Sequence, residues 1–244
     1  MPHAGILAAN PDGAAQCFLR YCRAGAAELG GHTYPDVSLD YIGFGHHLRA
    51  WQAGDLDTVG AYLARSVARL AASGAEFFVC PDNTAHLVLD EIGPELPLPG
   101  IHIAQAVATT ARAAGHRRVG VLGTAFITGS ALYPTWLGAD GIEVETPAPP
   151  DAERLDGIIF GELVDGIASE ASRAWFVEVV RGLAARGCDA VALASTELPL
   201  LLAPDDSPLP VIDSTVVLAD RALDTALGRS SLPTWRGGRH GDLR

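Results

Sequence analysis

Short runs of apolar residues alternate along this chain with longer stretches in which apolar residues recur every three or four positions. The short runs predict buried strands, and the longer stretches predict amphipathic helices. The predicted strands are Ala4–Ala9, Ser38–Ile42, Phe77–Cys80, Arg118–Leu122, Gly141–Glu145, Ala190–Leu193 and Val211–Ile212. The predicted helices are Gly13–Leu29, Leu56–Ser73, His86–Ile92, Ile101–Ala114, Gly129–Ala139, Asp151–Glu162, Ser169–Arg186 and Thr215–Leu227. Strands that alternate with helices of this length indicate βαβ units, and therefore an α/β fold with parallel sheets.

The sequence contains an internal repeat. Residues 70–82 (LAASGAEFFVCPD) align without a gap with residues 183–195 (LAARGCDAVALAS), and residues 5–10 (GILAAN) align with residues 120–125 (GVLGTA). The two pairs have nearly the same offset, 113 and 115 residues, so both belong to one duplication. The repeat predicts two pseudo-symmetric lobes, each a parallel sheet flanked by helices, with an active site in the cleft between them.

Small or polar residues follow four of the predicted strands. They are Ala9-Asn10, Asp82-Asn83-Thr84, Gly123-Thr124 and Ser195-Thr196-Glu197. In open parallel sheets, ligands bind at the carboxyl ends of the strands, where backbone N–H groups and hydroxyls favour a carboxylate. Asn83, Thr84, Ser195 and Thr196 are also typical helix caps, which is the structural alternative. Their occurrence at repeat-equivalent strand ends favours a binding site.

Composition narrows the classes of partner. The 244 residues carry a net charge of −12, which argues against binding to nucleic acids or to anionic membranes. No run of about 18 apolar residues occurs, and the first residues lack the basic segment of a signal peptide. We therefore expect a soluble, cytoplasmic protein.

The sequence contains no lysine, because all 17 basic residues are arginine. Pyridoxal-phosphate catalysis needs a lysine amine for its Schiff base, and a Walker-type phosphate loop needs Gly-Lys-Ser/Thr. Both classes are excluded. The four cysteines, Cys17, Cys22, Cys80 and Cys188, lack the spacing of a zinc site. We expect neither a metal nor a cofactor.

Five stretches together resemble one known superfamily. They are GILAANPDGAA, FVCPDNTAH, VGVLGTAFITGSALY, ALASTELPLLL and PVIDSTVVLADRAL, and they extend over nearly the whole chain, from Gly5 to Leu227. The chain resembles the cofactor-independent aspartate/glutamate racemase superfamily, which also includes hydantoin racemase, maleate isomerase and arylmalonate decarboxylase. The resemblance implies a first lobe of residues 1–105 plus 212–244 and a second lobe of residues 106–211. It also implies a homodimer and a small substrate that contains a carboxylate.

Enzymes of this superfamily use two cysteines, one per lobe, to remove and deliver the proton on the α-carbon. The motifs are Cys-Asn-Thr-x-His and Gly-Cys-Thr-Glu. In this chain Asp82 occupies the first cysteine position and Ser195 the second. Cys80 is not a substitute in the ungapped alignment, since a residue two positions back in a strand lies deeper in the sheet.

A carboxylate at the first position suggests a general base or acid, and the second position keeps a hydroxyl that can donate a hydrogen bond or relay a proton. Asp82 and Ser195 are therefore the predicted catalytic residues. The predicted substrate-binding residues are Asn10, Asn83, Thr84, Thr124, Thr128, Thr196 and Glu197. Of the other side chains, His86 is expected to support the Asp82 loop, and Trp235 to anchor an otherwise flexible tail, residues 228–244.

Three hypotheses for the function remain open at this stage. The first is an isomerase that transfers a proton next to a carboxylate or carbonyl of a small molecule. The second is a lyase of the same superfamily, such as a decarboxylase that stabilises an enediolate. The third is a ligand-binding protein without turnover, because both catalytic thiols are missing.

Overall fold

The computed structural model describes residues 1–92, 96–202 and 204–240, and the side chains of residues 44, 46–48 and 204 are outside this description. The chain divides into two compact units. Unit 1 consists of Met1–Ala106 with Thr215–Arg244, and unit 2 consists of Val107–Ser214. Each unit contains its own four-stranded sheet.

The sheet of unit 1 is parallel throughout, in the order β2-β1-β3-β4. Its strands are β1 (Ala4–Ala8), β2 (Val37–Tyr41), β3 (Phe77–Val79) and β4 (Gly100–Ile101). Its helices are α1 (Pro11–Leu29), α2 (Phe44–Gln52), α3 (Leu56–Ala72) and α4 (Ala85–Leu89). Two further helices, α5 (Ile103–Ala113) and α10 (Ser214–Ala226), contain the points at which the chain passes between the units.

The sheet of unit 2 repeats this arrangement, in the order β6-β5-β7-β8. Its strands are β5 (Arg118–Leu122), β6 (Glu143–Glu145), β7 (Ala190–Leu193) and β8 (Val211–Asp213), again all parallel. Its helices are α6 (Ala125–Thr128), α7 (Leu132–Ala139), α8 (Pro149–Gly161) and α9 (Glu170–Ala185). Short 3₁₀ turns lie at Leu163–Asp165, Leu198–Leu200 and Pro204–Asp206. The central strands β1 and β3 correspond to β5 and β7, as the sequence repeat predicts.

Each central strand is buried on both faces. Phe77 and Val79 of β3 belong to the hydrophobic cluster on one face of the sheet, whereas Phe78 and the following Cys80 belong to the cluster on the other. Successive side chains of a strand point to opposite faces, and helices cover both faces of a parallel sheet. This burial explains why β3 reads as an unbroken apolar run. The same applies to β7, which is buried along its whole length.

Three elements were not predicted from the sequence: α2, α6 and β4. All three are short, at nine, four and two residues. Several predicted elements are shorter than expected; β6, for example, begins at Glu143 and α7 begins at Leu132. In the described ranges, no helix has the length and apolar character needed to cross a bilayer.

Candidate active site

The carboxyl ends of β1 and β3 lie side by side in unit 1, because these two strands are paired in parallel. Asn10 follows β1, and Asp82 follows β3. Nδ2 of Asn10 donates a hydrogen bond to Oδ2 of Asp82 at 3.0 Å. The sheet therefore brings together two of the residues that the sequence predicts for the site.

The side chain of Asn10 is held in one orientation by the start of α1. Asn10 is the N-cap of this helix, with extended backbone angles, and its Oδ1 accepts a hydrogen bond from the N–H of Gly13 at 2.7 Å. Because the oxygen is used by the cap, the amide nitrogen faces Asp82. A standard helix cap thus fixes a hydrogen-bond donor on the candidate base.

Asp82 accepts hydrogen bonds on both carboxylate oxygens. Oδ2 accepts from Asn10, and Oδ1 accepts from the backbone N–H of Ala85 at 2.9 Å. The residue is half-buried. Each carboxylate oxygen has two lone pairs, so each keeps an acceptor position after these bonds. Such a carboxylate is fixed in place and can still accept a proton from a bound molecule.

Asn83 and Thr84 lie in the turn between Asp82 and α4. Asn83 is buried, and Thr84 is half-buried. Thr84 occupies the N-cap position of α4, but its side chain makes no capping hydrogen bond. Asp82 satisfies the Ala85 N–H instead. The side chain of Thr84 therefore does not cap the helix, and the alternative that this residue serves as a helix cap is wrong.

The side chain of His86 supports the same turn, as the sequence predicts. Its Nδ1 lies 2.8 Å from the carbonyl oxygen of Asp82, and its Nε2 accepts a hydrogen bond from the N–H of Ile103 at 3.2 Å. Since Nε2 accepts, Nδ1 carries the ring proton and donates a hydrogen bond to the backbone carbonyl oxygen of Asp82. Burial lowers the pKa of His86 to about 3, so the ring is neutral at physiological pH. His86 holds the backbone and is not the proton-transfer group.

The repeat-equivalent strand ends of unit 2 are also adjacent, because β5 pairs with β7. Gly123 follows β5 and allows a close approach, since a Cβ at this position would lie 2.9 Å from the carbonyl oxygen of Ala194. The next residue, Thr124, is buried. Within the part of the chain that the structure describes, the Thr124 hydroxyl has no hydrogen-bond partner. A buried hydroxyl without a partner is costly unless a ligand satisfies it.

Ser195 and Glu197 form a hydrogen-bonded pair after β7. Oγ of Ser195 donates to Oε2 of Glu197 at 2.6 Å. Ser195 is buried, whereas Glu197 is half-buried. The 3₁₀ turn that follows begins without a side-chain cap, so Ser195 is not a cap either. Glu197, which the sequence predicts as a substrate-binding residue, orients the Ser195 hydroxyl through this hydrogen bond.

Two other predicted residues, Thr196 and Thr128, also lie near these strand ends. Thr196 is buried beside Ser195, and the Thr128 hydroxyl donates to the carbonyl oxygen of Thr124 at 3.2 Å. Sequence reasoning missed Asp156 of α8. Its Oδ1 accepts from the N–H of Ala125, at the start of α6, at 2.8 Å. No motif indicated this contact, since the two residues are 31 positions apart.

Cys80 does not take over the role of the missing thiol. It is fully buried in the apolar core of unit 1. Burial, together with the charge of Asp82, raises the pKa of the thiol well above its usual range. A thiol in this environment is not a thiolate at neutral pH, and only the thiolate is an effective base or nucleophile.

No cluster of three or more His, Cys, Asp or Glu side chains with the arrangement of a metal site occurs among the residues described. The polar groups at the strand ends are instead a carboxylate, amides, hydroxyls and backbone N–H groups. These groups are suited to proton transfer and to binding of an organic anion.

Known racemases are similar to this chain in sequence and in structure. The sequence profile of the Asp/Glu/hydantoin racemase family matches residues 6–222. The broad specificity amino-acid racemase RacX of Bacillus subtilis (strain 168) is 26% identical over 179 residues, which cover 72% of this chain and 76% of RacX.

Two solved structures align with 93% of this chain, and each does so over 100% of its own chain. A candidate Asp/Glu racemase from Yersinia pestis superimposes with a TM-score of 0.87 at 31% identity. An aspartate racemase homologue from Pyrococcus horikoshii OT3 superimposes with a TM-score of 0.82 at 27% identity. With its two parallel four-stranded sheets and this profile match, the chain belongs to the Asp/Glu/hydantoin racemase family and is an enzyme of the racemase and isomerase type.

Proposed function

We propose that this protein is a cofactor-independent isomerase that transfers a proton next to a carboxylate or carbonyl of a small molecule, with Asp82 as general base and acid. The observation that carries the proposal is the setting of Asp82. Its carboxylate lies at the carboxyl end of a central strand, is held by Asn10 and Ala85, and keeps acceptor positions on both oxygens. The absence of lysine from the sequence removes the pyridoxal-phosphate route to the same chemistry.

The proposed substrate is a small amino-acid-like carboxylate. RacX is an amino-acid racemase by name, and the two structural relatives are likened to aspartate or glutamate racemases. In this chain, the proposed donors to the substrate carboxylate are the neutral side chains of Asn83, Thr84, Thr124 and Thr196. The Thr124 hydroxyl is the best supported of these candidates, because it is buried and has no hydrogen-bond partner within the described chain.

A carboxylate base favours a substrate whose proton is more acidic than the α-proton of a free amino acid. An aspartate has a typical pKa of about 3.9 and a cysteine one of about 8.5, so the carboxylate is the weaker base. Protons next to a ketone, an imine, an ester, a cyclic imide or a second carboxylate are more acidic. We therefore expect faster exchange with compounds of these classes than with free aspartate or glutamate.

Ser195 and Glu197 are the proposed second proton-transfer group, in unit 2. A serine hydroxyl alone is a poor base, but here its proton is already directed to a carboxylate. When Ser195 Oγ takes a proton from the substrate, its own proton passes to Glu197, and the reverse transfer delivers a proton to the substrate carbanion. The 2.6 Å distance from Ser195 Oγ to Glu197 Oε2 supports this relay over a role of Ser195 as a simple donor.

Proton NMR in D₂O tests the proposal. The purified protein would be incubated with aspartate, glutamate, substituted malonates, hydantoins and α-amino ketones or esters, and the Asp82→Asn variant would be run alongside. We expect solvent deuterium at the α-carbon with at least one class, and loss of this exchange in Asp82→Asn. Loss of CO₂ would identify a lyase instead. Thermal stabilisation by a compound without any exchange would identify a binding protein.

A further inference from the structure

The C-terminal segment crosses the edge of the sheet in unit 1. After α10 the chain returns to β4, where Trp235 forms an antiparallel bridge with Gly100, whose N–H donates to the carbonyl oxygen of Trp235 at 2.7 Å. We call residues 235–239 the C-terminal strap. The tail is described as far as His240, and residues 241–244 lie outside the described part of the chain.

The strap is also attached to both sides of the segment between α4 and β4. On one side, the N–H of Gly238 donates to the carbonyl oxygen of Leu89, the last residue of α4, at 3.1 Å. On the other, Nη1 of Arg236 donates to the carbonyl oxygens of Leu96 and Pro97 at 3.1 and 2.8 Å. The strap therefore joins the end of α4, the helix that follows Asp82, to the edge strand β4.

Trp235 is the buried centre of the strap, with 2% of its surface exposed. Its indole N–H donates to the carbonyl oxygen of Gly238 at 2.8 Å, which closes the strap on itself. Its ring stacks on His86, with ring centroids 5.9 Å apart and planes at 16°, and meets His102 edge-on at 4.9 Å. The ring of Phe78 in β3 lies 5.9 Å away. Trp235 thus covers the histidine that supports the candidate base.

His86 connects this aromatic cluster to Asp82. One ring nitrogen donates to the Asp82 carbonyl oxygen and the other accepts from Ile103, the first residue of α5. The ring is therefore fixed between the strand end and the next helix. A shift of the ring would move the backbone of Asp82, and with it the carboxylate held by Asn10 and Ala85.

We propose that the C-terminal strap positions the general base, with His86 as the positioning residue through which Trp235 acts on Asp82. The consequence for catalysis rests on the proposed function, whereas the ordering of the Asp82 loop is a property of the folded protein alone. A misplacement of about 1 Å at a reacting group lowers the rate by about 100-fold, so the strap affects kcat more than KM.

Amide hydrogen exchange, followed by NMR on the full chain without substrate, tests the ordering of the loop. The Ala85 N–H is bonded to Asp82 and the Leu87 N–H to Thr84, so both report on the loop. The Ala194 N–H, bonded to Leu122 in unit 2, is the reference. In Trp235→Ala we expect Ala85 and Leu87 to exchange about tenfold faster and Ala194 to stay unchanged. Trp235→Phe, which keeps a stacking ring, is the matched control.

Arg236→Ala is the second variant, because it removes the side-chain hydrogen bonds of the strap to Leu96 and Pro97 and leaves the aromatic cluster intact. We expect a smaller increase in exchange at the same two amides. Equal increases at Ala85 and Ala194 in these variants, or no increase at Ala85 and Leu87, would overturn the proposal. Either result would mean that the strap acts on global stability or not at all.

Two His86 variants separate positioning from packing. Asparagine carries its N–H group at about the position of the histidine Nδ1, whereas glutamine reaches the position of Nε2. If His86 acts through the Asp82 carbonyl, His86→Asn keeps most of kcat, and His86→Gln loses about tenfold with little change in KM. Equal kcat values in the two variants would contradict the role. If the wild type exchanges no compound, the proposed function fails, and the amide measurement still decides on the strap.

Discussion

Asn10 serves two purposes, since one side chain caps α1 and also donates to Asp82. The cap uses the amide oxygen and the candidate base uses the amide nitrogen. The start of the helix and the orientation of the carboxylate are therefore coupled. A substitution at this position affects the site in a way that depends on which of the two atoms is kept.

Replacement of Asn10 by aspartate keeps the capping oxygen and replaces the donor by a second carboxylate about 3 Å from Asp82. Two carboxylates this close do not ionise together without a large cost, so the pair retains one proton to higher pH. We expect the pH–rate profile of deuterium exchange to move to higher pH in Asn10→Asp. The control Asn10→Ala loses the cap, at about 1 kcal/mol of stability, and loses the donor to Asp82 without adding a charge, so we expect a smaller displacement. An unchanged profile in Asn10→Asp would show that Asp82 is not the titrating base.

Ser195 and Glu197 act as one unit if the proton relay operates. Ser195→Ala and Glu197→Gln should then each lower kcat to a similar extent, and the double variant should be little worse than either single variant. Steady-state kinetics of the three variants measures this coupling. Additive losses would mean that the two side chains act independently.

At the residue scale, the sequence predicts which residues lie at the strand ends of the site, but not which of these side chains contact each other. The strand ends that carry Asn10, Asp82 and Ser195 follow from apolar runs and from the repeat. The pairing of Asn10 with Asp82 requires the order of strands in the sheet, because the two residues are 72 positions apart. The cap by Asp156 on Ala125 is of the same kind, since it joins two elements without a shared motif.

Close packing between β5 and β7 depends on the absence of a side chain at Gly123. A Cβ there would lie 2.9 Å from the backbone oxygen of Ala194, which cannot move without disturbing β7. We expect Gly123→Ala to lower the free energy of unfolding by about 1–3 kcal/mol. Gly157→Ala is the matched control, because a Cβ on this residue of α8 meets no atom within 4 Å and improves helix propensity by about 1 kcal/mol. Urea unfolding of both variants measures the difference, and equal stabilities would contradict it.

At the element scale, the apolar runs and the long periodic segments were predicted, whereas α2, α6 and β4 were not. The seven predicted strands and eight predicted helices all correspond to observed elements, with ends displaced by a few residues. β4 is different, because its two residues are defined by partners far away in sequence, Phe78 on one side and Trp235 on the other. A local pattern of two residues contains no such information.

At the scale of the whole molecule, the same strand order in both sheets extends the repeat from sequence to structure. Both copies place their polar residues after the first and third strands of the unit. The two copies differ in the groups that they offer. Unit 1 presents a carboxylate held by an amide and a backbone N–H, whereas unit 2 presents a hydroxyl held by a carboxylate.

The buried histidines make the stability of the fold sensitive to acid. Burial lowers the pKa of His86 and of His102 to about 3, below the usual value near 6.5. The contribution of the two neutral rings to the stability of the fold is therefore complete above pH 6.5 and is lost as the pH falls towards 3. Asp90 opposes this loss, because burial raises its pKa to about 6 and its contribution is lost as the pH rises through 6. The charged or titratable groups that face it are His86, His102, Glu91, Arg239 and His240.

Between pH 6 and 4 the two histidines hold nearly two protons in the unfolded state and almost none in the folded state, whereas Asp90 holds up to about one proton in the folded state. The unfolded state therefore holds about one proton more, and the free energy of unfolding should fall by about 1.4 kcal/mol for each unit by which the pH is lowered. In Asp90→Asn the opposing group is gone, so we expect a steeper fall over the same range. Urea unfolding at several pH values measures both slopes. Parallel slopes for the variant and the wild type would contradict the assignment of Asp90.

The central claim is that Asp82 transfers the proton. The most direct measurement is the rate of α-deuterium exchange for the wild type, Asp82→Asn and the exposed control Asp57→Asn, with the compound that exchanges fastest. We predict exchange at similar rates in the wild type and Asp57→Asn, and a loss of at least about 100-fold in Asp82→Asn, in which the amide cannot accept the proton. Exchange that persists in Asp82→Asn within a few fold of the wild-type rate would contradict the account.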